Sequence, residues 1–542
     1  MMKKVIKKLL AALLAVALVC AMAIPAFAEN SEGDVDSHHT YSAFQIFKGD
    51  VEGNNIKDFK ISNVDWGSNI INNSDDFLNK LREADHIGPL FTNAKSAQEV
   101  LAVISQWHDS DDYSIAFARF VCHYLYSNDA NPTYVVRAGS NALTIPEAKA
   151  GYYLFVDTTD FSKDDSYHSY NSFLLMVTKG NWNVPITPKA EKPTVEKKVY
   201  DNDNNDISSA GGWGSSADHA INEKFQFQLI AKLPASKDNG RAYDYYDKYT
   251  VCFNDTLSAG ITFDNLDTVK IANVDGDNSK EITNYKFDDT DLHEAGHPTS
   301  FKLSIDDVKT CAAAAGLNLN DGATITVTYT AHLNENAAVN GSTDNKNKVQ
   351  LQYSNNPSNS AYWGFTPESA VCVYTYQLNN TKYHDDDTPG NELAGAGFRL
   401  YSGKDCTPEQ EVKLYKKDNF YYPIKDATDK AQDAVEMFSD EHGQFNVKGL
   451  DAGTYYLKET KTPDDYSPCP DKKIVISATH TEYNVNLSGE SNLNNKIINI
   501  KAGGITLPST GGIGTTIFYV VGGGLMVAAI VLLVTKKRME NK

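Results

Sequence analysis

Short alternations of apolar and polar residues dominate the second and third parts of the sequence. Because successive side chains of a strand point to opposite faces, this alternation predicts half-buried β-strands. Asn, Asp and Gly residues that favour turns separate the strands, as is typical of β-sandwiches. The clearest predicted strands lie at residues 225–229, 249–253, 324–329, 349–353, 397–401, 453–459 and 473–476.

The first part of the sequence mixes strand patterns with helical ones. Strand-like stretches at 41–47, 152–156 and 173–177 flank a helical insert. Ser96 and Glu99 form a capping-box pattern that opens one predicted helix. Residues 113–126 predict another helix. The fold class is therefore mainly β, with a helical insert in the N-terminal domain.

Both ends of the chain carry predicted targeting segments. Basic residues, an apolar run and Ala26-Phe27-Ala28 predict a secretory signal peptide that is cleaved after Ala28. At the other end, residues 513–535 are apolar or small and precede Lys536, Lys537 and Arg538. This order predicts a membrane span whose basic end faces the cytoplasm.

Composition narrows the range of partners and cofactors. The formal net charge is −20, with 70 acidic and 50 basic residues, which argues against nucleic acid as a partner. The cysteines follow no CxxC spacing, so the sequence predicts no metal or redox motif built on them. We expect neither a metal nor a cofactor.

The residues just before the predicted span resemble the cell-wall sorting signal of Gram-positive surface proteins. That signal joins a pentapeptide, an apolar span and a short basic tail, and the pentapeptide here consists of Leu507, Pro508, Ser509, Thr510 and Gly511. The resemblance implies that a sortase cysteine attacks the carbonyl of Thr510 and releases the chain from Gly511 onward.

Further motifs resemble those of sortase-assembled major pilins, the backbone subunits of covalent pili. They are Tyr455-Tyr456-Leu457-Lys458-Glu459-Thr460 with Pro463, Leu393-Ala394-Gly395-Ala396-x-Phe398, and Asp255-Thr256-Leu257-x-x-Gly260. The resemblance implies tandem immunoglobulin-like β-sandwiches. The expected parts are a signal peptide (1–28), an N-terminal pilin domain (29–188), an isopeptide-forming middle domain (189–372), a Cna-B type domain (373–502) and the sorting segment (503–542).

The resemblance also implies partners. Lys189, in Trp182-x-Val184-x-Ile186-x-Pro188-Lys189, takes the place of the pilin-motif lysine that resolves the sortase thioester. Lys192 is the nearest competitor. The implied partners are a class C type pilin sortase, a housekeeping sortase, further copies of the chain, minor tip and basal pilins, and peptidoglycan. The alternative is a monomeric wall-anchored adhesin that binds a host protein or glycan.

Two sets of residues are candidates for internal lysine–asparagine isopeptide bonds, in which the chain modifies itself and is not a turnover enzyme. In the last domain they are Lys382, Glu459 and Asn499, with Asn494 and Asn495 as alternative acceptors. In the middle domain they are Lys197, Asp255 and Asn347, with Lys198 as the alternative amine. Alternation places both lysines, both acids and Asn347 on apolar faces, where burial lowers a lysine pKa and raises a carboxyl pKa. The resemblance implies Asn499, which takes the place of the asparagine in the family's last strand. A neutral amine could then attack the amide with help from the acid.

Two apparent metal motifs are rejected. His293-Glu294-Ala295-Gly296-His297 matches a zinc-peptidase pattern, but Gly296 and the following Pro298 disfavour the helix that the pattern requires. Asp201, Asp203, Asn205 and Asp206 resemble part of a calcium loop that no glutamate closes at the required spacing.

Deletion of residues 507–511 tests the sorting signal. We expect the shortened protein to remain in the membrane or the medium, because the acyl group to be transferred is the carbonyl of Thr510. Immunoblots of cell-wall, membrane and culture fractions measure this. Normal amounts of wall-linked protein after the deletion would contradict the sorting argument.

Overall fold

The computed structural model describes residues 40–502 and a few residues between 525 and 537. Within 40–502, the exceptions are 55–58, 108–111, 138–143, 146–148, 159–173, 180–181, 184–191, 203–211, 235–242, 244–245, 275–277, 294–296, 321, 358–362, 428–432 and 490. The signal peptide, Lys189 and the pentapeptide from Leu507 to Gly511 lie outside the described residues. In the described part of the chain, no helix is long and apolar enough to cross a membrane.

The first region packs helices against an antiparallel sheet with the order β2-β1-β5-β6, and β3 also pairs with β1. Ser96 caps helix α2 by accepting a hydrogen bond from Glu99 N, as the capping-box pattern predicts. The elements are β1 (Thr40–Glu52), β2 (Lys60–Trp66), α1 (Ser74–Glu83), α2 (Ala97–Ile104), α3 (Asp112–Ser127), β3 (Tyr134–Arg137), β4 (Thr144–Ile145), β5 (Gly151–Asp157), β6 (Leu174–Thr178) and β7 (Trp182–Asn183).

The middle region is a sandwich of two sheets. One has the order β10-β20-β18-β12-β16-β15, with β19 on β18, and the other has the order β14-β13-β17-β11-β8-β9. The elements are β8 (Thr194–Tyr200), β9 (Trp213–Gly214), β10 (Ser216–Asp218), β11 (Lys224–Lys232), β12 (Val251–Leu257), β13 (Ile261–Ala272), β14 (Lys280–Glu281), β15 (Lys286–Asp288), β16 (Thr299–Ile305), α4 (Val308–Ala314), β17 (Thr324–Leu333), β18 (Lys346–Ser354), β19 (Trp363–Phe365) and β20 (Ser369–Tyr374).

The last region is a smaller sandwich with sheet orders β23-β24-β26-β21-β31 and β25-β22-β27-β28. A hairpin of β29 and β30 completes it. The elements are β21 (Tyr376–His384), β22 (Gly397–Tyr401), β23 (Leu414–Lys417), β24 (Phe420–Pro423), β25 (Met437–Phe438), β26 (Asn446–Leu450), β27 (Gly453–Lys461), β28 (Lys472–Ile476), β29 (Ala478–Thr481), β30 (Asn484–Leu487) and β31 (Asn494–Asn499).

The apolar faces predicted by alternation form the cores of these regions. Phe225, Phe227 and Leu229 are buried on one face of β11, while the residues between them are more exposed. Separate clusters of buried apolar residues fill the first, middle and last regions. The mainly β fold class is confirmed.

The middle and last regions share a close junction. Ile221 N donates a hydrogen bond to Gly449 O at 2.9 Å. A Cβ atom at Gly449, which has a φ of 90°, would lie 2.4 Å from Ile221 Cδ1. Tyr415 and Tyr422 of the last region are buried with the core residues of the middle region. Strand β20 leads into β21 through Thr375 alone.

Candidate functional sites

The middle candidate site joins the two sheets of its sandwich. Lys197 lies on β8 in one sheet, and Asp255 and Asn347 lie on β12 and β18 in the facing sheet. Each of the three residues is at most 2% exposed. Strand pairing sets Asn347 opposite Leu257, two residues from Asp255 and on the same face. The structure therefore brings the three predicted residues together.

Tyr329 of β17 links these side chains. Lys197 Nζ donates to Asp255 Oδ2 and lies 3.1 Å from Tyr329 Oη. Tyr329 Oη donates to Asp255 Oδ1 at 3.0 Å. Asn347 Nδ2 donates to the same hydroxyl oxygen. Among the described residues, Asn347 Oδ1 has no hydrogen-bond partner, so the carbonyl of the candidate amide has no competing contact.

Sequence reasoning missed Tyr329. The residue follows the apolar phase of its strand, with Ile325 and Val327 buried on the same face. A tyrosine in this pattern is indistinguishable from an ordinary core residue. The one indication that could have revealed Tyr329 is a physical one: the hydroxyl group of a buried tyrosine usually requires a polar partner.

Burial also sets the protonation states of the middle site. Desolvation lowers the pKa of Lys197 to about 8, and the nearby Asp255 carboxylate only partly opposes it. Burial raises the pKa of Asp255 above its usual range, against the opposing effect of Lys197. Both shifts favour the neutral amine and the neutral acid over a charged pair, as the apolar surroundings predict.

The last candidate site has a different layout. Lys382 on β21 and Asn499 on β31 lie on neighbouring parallel strands of one sheet, in a register that pairs Lys382 with Ile497. Glu459 reaches them from β27 in the facing sheet. Lys382 and Asn499 are almost fully buried. The first and last strands of the region are thus directly adjacent.

The contacts in this site are direct. Lys382 Nζ donates to Asn499 Oδ1, and Asn499 Nδ2 donates to Glu459 Oε1 at 2.7 Å. The distance from Lys382 Nζ to Glu459 Oε1 is 3.8 Å. Glu459 Oε2 accepts from Cys469 N at 2.8 Å and from Thr462 Oγ1 at 3.3 Å. One carboxylate oxygen is therefore held by neighbouring groups, and the other faces the amide.

The pKa of Lys382 is also lowered. Burial is the main cause, and the nearby Cys469 and Glu459 oppose it. A lower pKa increases the fraction of neutral amine at a given pH. Only this form has the lone pair that a nucleophile needs.

The residues that the sequence left open as alternatives have partners outside the two candidate sites. Lys198 points away from the core and lies 3.4 Å from Glu196. Asn494 is exposed and accepts from Asn379, while Asn495 is buried but donates to Asn492 O. Geometry therefore favours Lys197 and Asn499 as the reacting residues, although the bonds themselves stay predictions.

The described parts of the two rejected metal motifs lie in different surroundings. Asp201 of the calcium-loop pattern is buried, where a solvated turn was expected. A short 3-10 turn spans Thr290–His293, in place of the longer helix that the zinc pattern requires. His297 is exposed, and its Nδ1 lies 2.8 Å from Pro298 O. Residues 294–296 and the candidate calcium-loop residues Asp203, Asn205 and Asp206 lie outside the described part of the chain.

Comparison with known families identifies two segments. The SpaA family, described as a prealbumin-like fold domain, matches residues 379–491. The LPXTG cell wall anchor motif matches residues 499–541. The chain thus contains a SpaA-type domain and the anchor motif of surface proteins attached to the cell wall. No curated protein sequence matches it significantly.

Several solved structures of backbone pilins are similar in fold to this chain, at low sequence identity. The T6 backbone pilin of Streptococcus pyogenes has 15% identity and a TM-score of 0.45, with coverage of 87% of this chain and 97% of that chain. The major pilin SpaD of Corynebacterium diphtheriae has 18% identity and a TM-score of 0.39, with coverage of 68% and 81%. The pilus 2b backbone protein of group B streptococcus has 21% identity and a TM-score of 0.37, with coverage of 57% and 98%. At these low TM-scores the likenesses carry no functional argument.

Glu459→Ala tests the last site. We expect the variant to retain one ammonia that the unaltered protein loses, because the acid that assists the attack is gone. The variant should also be less stable by about 4 kcal/mol, the order of magnitude expected for opening a closed loop of this length. Intact mass and urea unfolding of the purified full-length chain measure both effects, with the exposed Glu441→Ala as control. If both chains show no loss of ammonia from this region relative to the masses calculated from their sequences, and unfold with equal stability, the bond is disproved.

Tyr329→Phe tests the residue that the sequence did not reveal. We expect slower or incomplete loss of ammonia from the middle region, because the hydroxyl that contacts amine, acid and amide is removed. Time-resolved intact mass after expression, with peptide mapping of the Lys197–Asn347 pair, measures it. Lys197→Ala should abolish the cross-link and Lys198→Ala should leave it unchanged. Complete and equally fast cross-linking in Tyr329→Phe would show that the tyrosine only packs.

Proposed function

We propose that the chain is the structural backbone subunit of a covalent pilus, attached to peptidoglycan and stabilised by two internal isopeptide bonds. The observation that carries the proposal is that a lysine, a carboxylic acid and an asparagine are buried together in two consecutive sandwiches. In the last sandwich, Lys382 contacts Asn499, which contacts Glu459. In the middle sandwich, Lys197 contacts Asp255, and Tyr329 links both of them to Asn347. The LPXTG anchor motif supports attachment to the wall.

The internal reaction balances without any external reagent. The neutral lysine Nζ attacks the asparagine Cγ, while the neighbouring acid protonates the developing oxyanion. A C–N bond to Nζ forms and the bond from Cγ to Nδ2 breaks. The amine proton passes through the carboxylate to the leaving nitrogen, which departs as ammonia. As the carbonyl double bond re-forms, the hydroxyl proton of the intermediate returns to the carboxylate. The acid is thereby regenerated, and each site reacts once.

The arrangement of each site favours this reaction. Lys382 Nζ already touches the side-chain carbonyl oxygen of Asn499, so little motion separates it from Cγ. Holding reactants in such an orientation replaces a bimolecular encounter and lowers the barrier by several kcal/mol. In the middle site, Tyr329 connects amine, acid and amide and keeps them in register.

Polymerisation uses the same bond type between subunits. A sortase cysteine attacks the carbonyl of Thr510, which breaks the bond to Gly511 and leaves a thioester. The Nζ of Lys189 from another copy then attacks the thioester, forms an amide and releases the cysteine. A class C type pilin sortase would catalyse this step, and a housekeeping sortase would transfer the finished polymer to peptidoglycan. Minor tip and basal pilins would occupy its ends.

Lys189→Ala tests polymerisation. We expect the ladder of covalent oligomers in cell-wall extracts to collapse to monomer, because the amine that resolves the thioester is missing. Denaturing gels and immunoblots of the wall fraction measure it, with Lys192→Ala as the matched control. A ladder that survives Lys189→Ala but disappears in Lys192→Ala would move the role to Lys192. Absence of a ladder from the unaltered strain would favour the monomeric adhesin.

A further inference from the structure

A buried cluster of ionisable side chains lies at the junction between the middle and last regions. Asp201 follows β8, Asp218 ends β10, and His480 lies on the β29–β30 hairpin. All three are at most 1% exposed. The cluster is separate from both isopeptide sites, and its residues come from two different sandwiches.

The three side chains converge on one point. His480 Nε2 lies 3.3 Å from Asp218 Oδ1 and 3.9 Å from Asp201 Oδ2. The three candidate ligand atoms all lie within 4.8 Å of one another. Around a tetrahedral Zn²⁺ with bonds of about 2.0–2.1 Å, ligand atoms are separated by roughly 3.3 Å. Small side-chain adjustments would therefore place all three atoms on one ion.

The second polar atoms of His480 and Asp218, which are not candidate ligand atoms, have polar partners of their own. Ser216 Oγ lies 2.9 Å from His480 Nδ1, and Tyr376 Oη donates to Asp218 Oδ2 at 2.9 Å. If the imidazole donates its Nδ1 proton to the serine, its Nε2 lone pair faces the two carboxylates. Metal-binding histidines and carboxylates are typically oriented by such outer hydrogen bonds.

Charge balance also favours a cation here. Two aspartate carboxylates carry two formal negative charges, and buried net charge is costly. Two carboxylates, a neutral imidazole and a divalent cation sum to zero.

We propose that Asp201, Asp218 and His480 bind a divalent transition-metal ion, with Zn²⁺ as the best match to the mixed nitrogen and oxygen ligands. The ion would join the middle sandwich to the hairpin of the last one. It would fix the junction by a reversible link, in addition to the covalent links inside each sandwich.

A second group of three lies nearby, but it fits less well. His219, Glu223 and Asp451 could also converge, although the two carboxylate residues are only half-buried. Glu223 is engaged by Ala220 N at 3.2 Å, and His219 stacks on Phe225 with ring centroids 4.2 Å apart. His219 therefore serves as a buried control that lies close to the proposed site.

The test uses the untagged full-length chain after removal of metals with a chelator. Calorimetric titration with ZnCl₂ should show one equivalent bound, and His480→Gln and Asp218→Asn should lose it. His219→Gln should retain it. Ser216→Ala should keep the stoichiometry but weaken affinity about 10-fold or more, because only an outer hydrogen bond is removed. Zn²⁺ should raise the melting temperature of the unaltered chain by several degrees and leave that of His480→Gln unchanged.

Three outcomes would overturn the proposal. The first is no Zn²⁺ binding by the unaltered chain, which would leave His480 as an ion-pair partner of the aspartates. The second is Zn²⁺ binding that survives His480→Gln but is lost in His219→Gln. The third is binding of CaCl₂ in place of ZnCl₂, which would contradict the assigned ligand chemistry. If His480→Gln or Asp218→Asn folds poorly, the melting temperature of Ser216→Ala with and without Zn²⁺ still tests the proposal, because this variant retains all three ligands.

Discussion

The cost of holding a lysine amine away from water is the constraint on which both candidate sites depend. Burying an isolated ammonium group would cost several kcal/mol, which an acid at contact distance can only partly offset. Lys197 and Lys382 meet this constraint beside Asp255 and Glu459. Desolvation lowers the pKa of each amine and so increases its neutral fraction. The condition that makes the lysines tolerable in the core is thus also the one that makes them nucleophilic.

Alternation along strands allowed much of this to be predicted. It placed Lys197 in the core and Lys198 outside, and it grouped Asn347 with Val349 and Leu351. It could not reveal Tyr329, because a tyrosine in an apolar phase has the pattern of any core residue. Nor could it reveal that Asp218 meets His480, since strand periodicity carries no information about which distant segments touch. The helical insert was predictable because the cap at Ser96 is a local interaction.

The two sites would stabilise their sandwiches in different ways. A bond from Lys197 to Asn347 would connect the two sheets across the core, where side-chain packing is otherwise the main link. A bond from Lys382 to Asn499 would connect neighbouring strands that already share a backbone ladder. The first would resist separation of the sheets. The second would resist sliding of one strand along the other.

Strand direction determines what these bonds would do under tension. Strands β21 and β31 are parallel, so the chain enters the last region at one end of this pair and leaves at the other. Pulling on the chain shears the two strands. A bond between residues 382 and 499 would transmit the force directly from one to the other, so the residues between them in the sequence would bear none of it. In the middle region, β18 and β20 are antiparallel and Asn347 pairs with Val371. The load would still pass through residues 348–370, which makes the β18–β20 pair the extensible element. The cluster of Asp201, Asp218 and His480 lies beside this pair, because β10 runs parallel to β20. A link there would hold β10, the neighbour of β20, to the last sandwich. It would reinforce the part of the load path that the two proposed covalent bonds would leave unprotected.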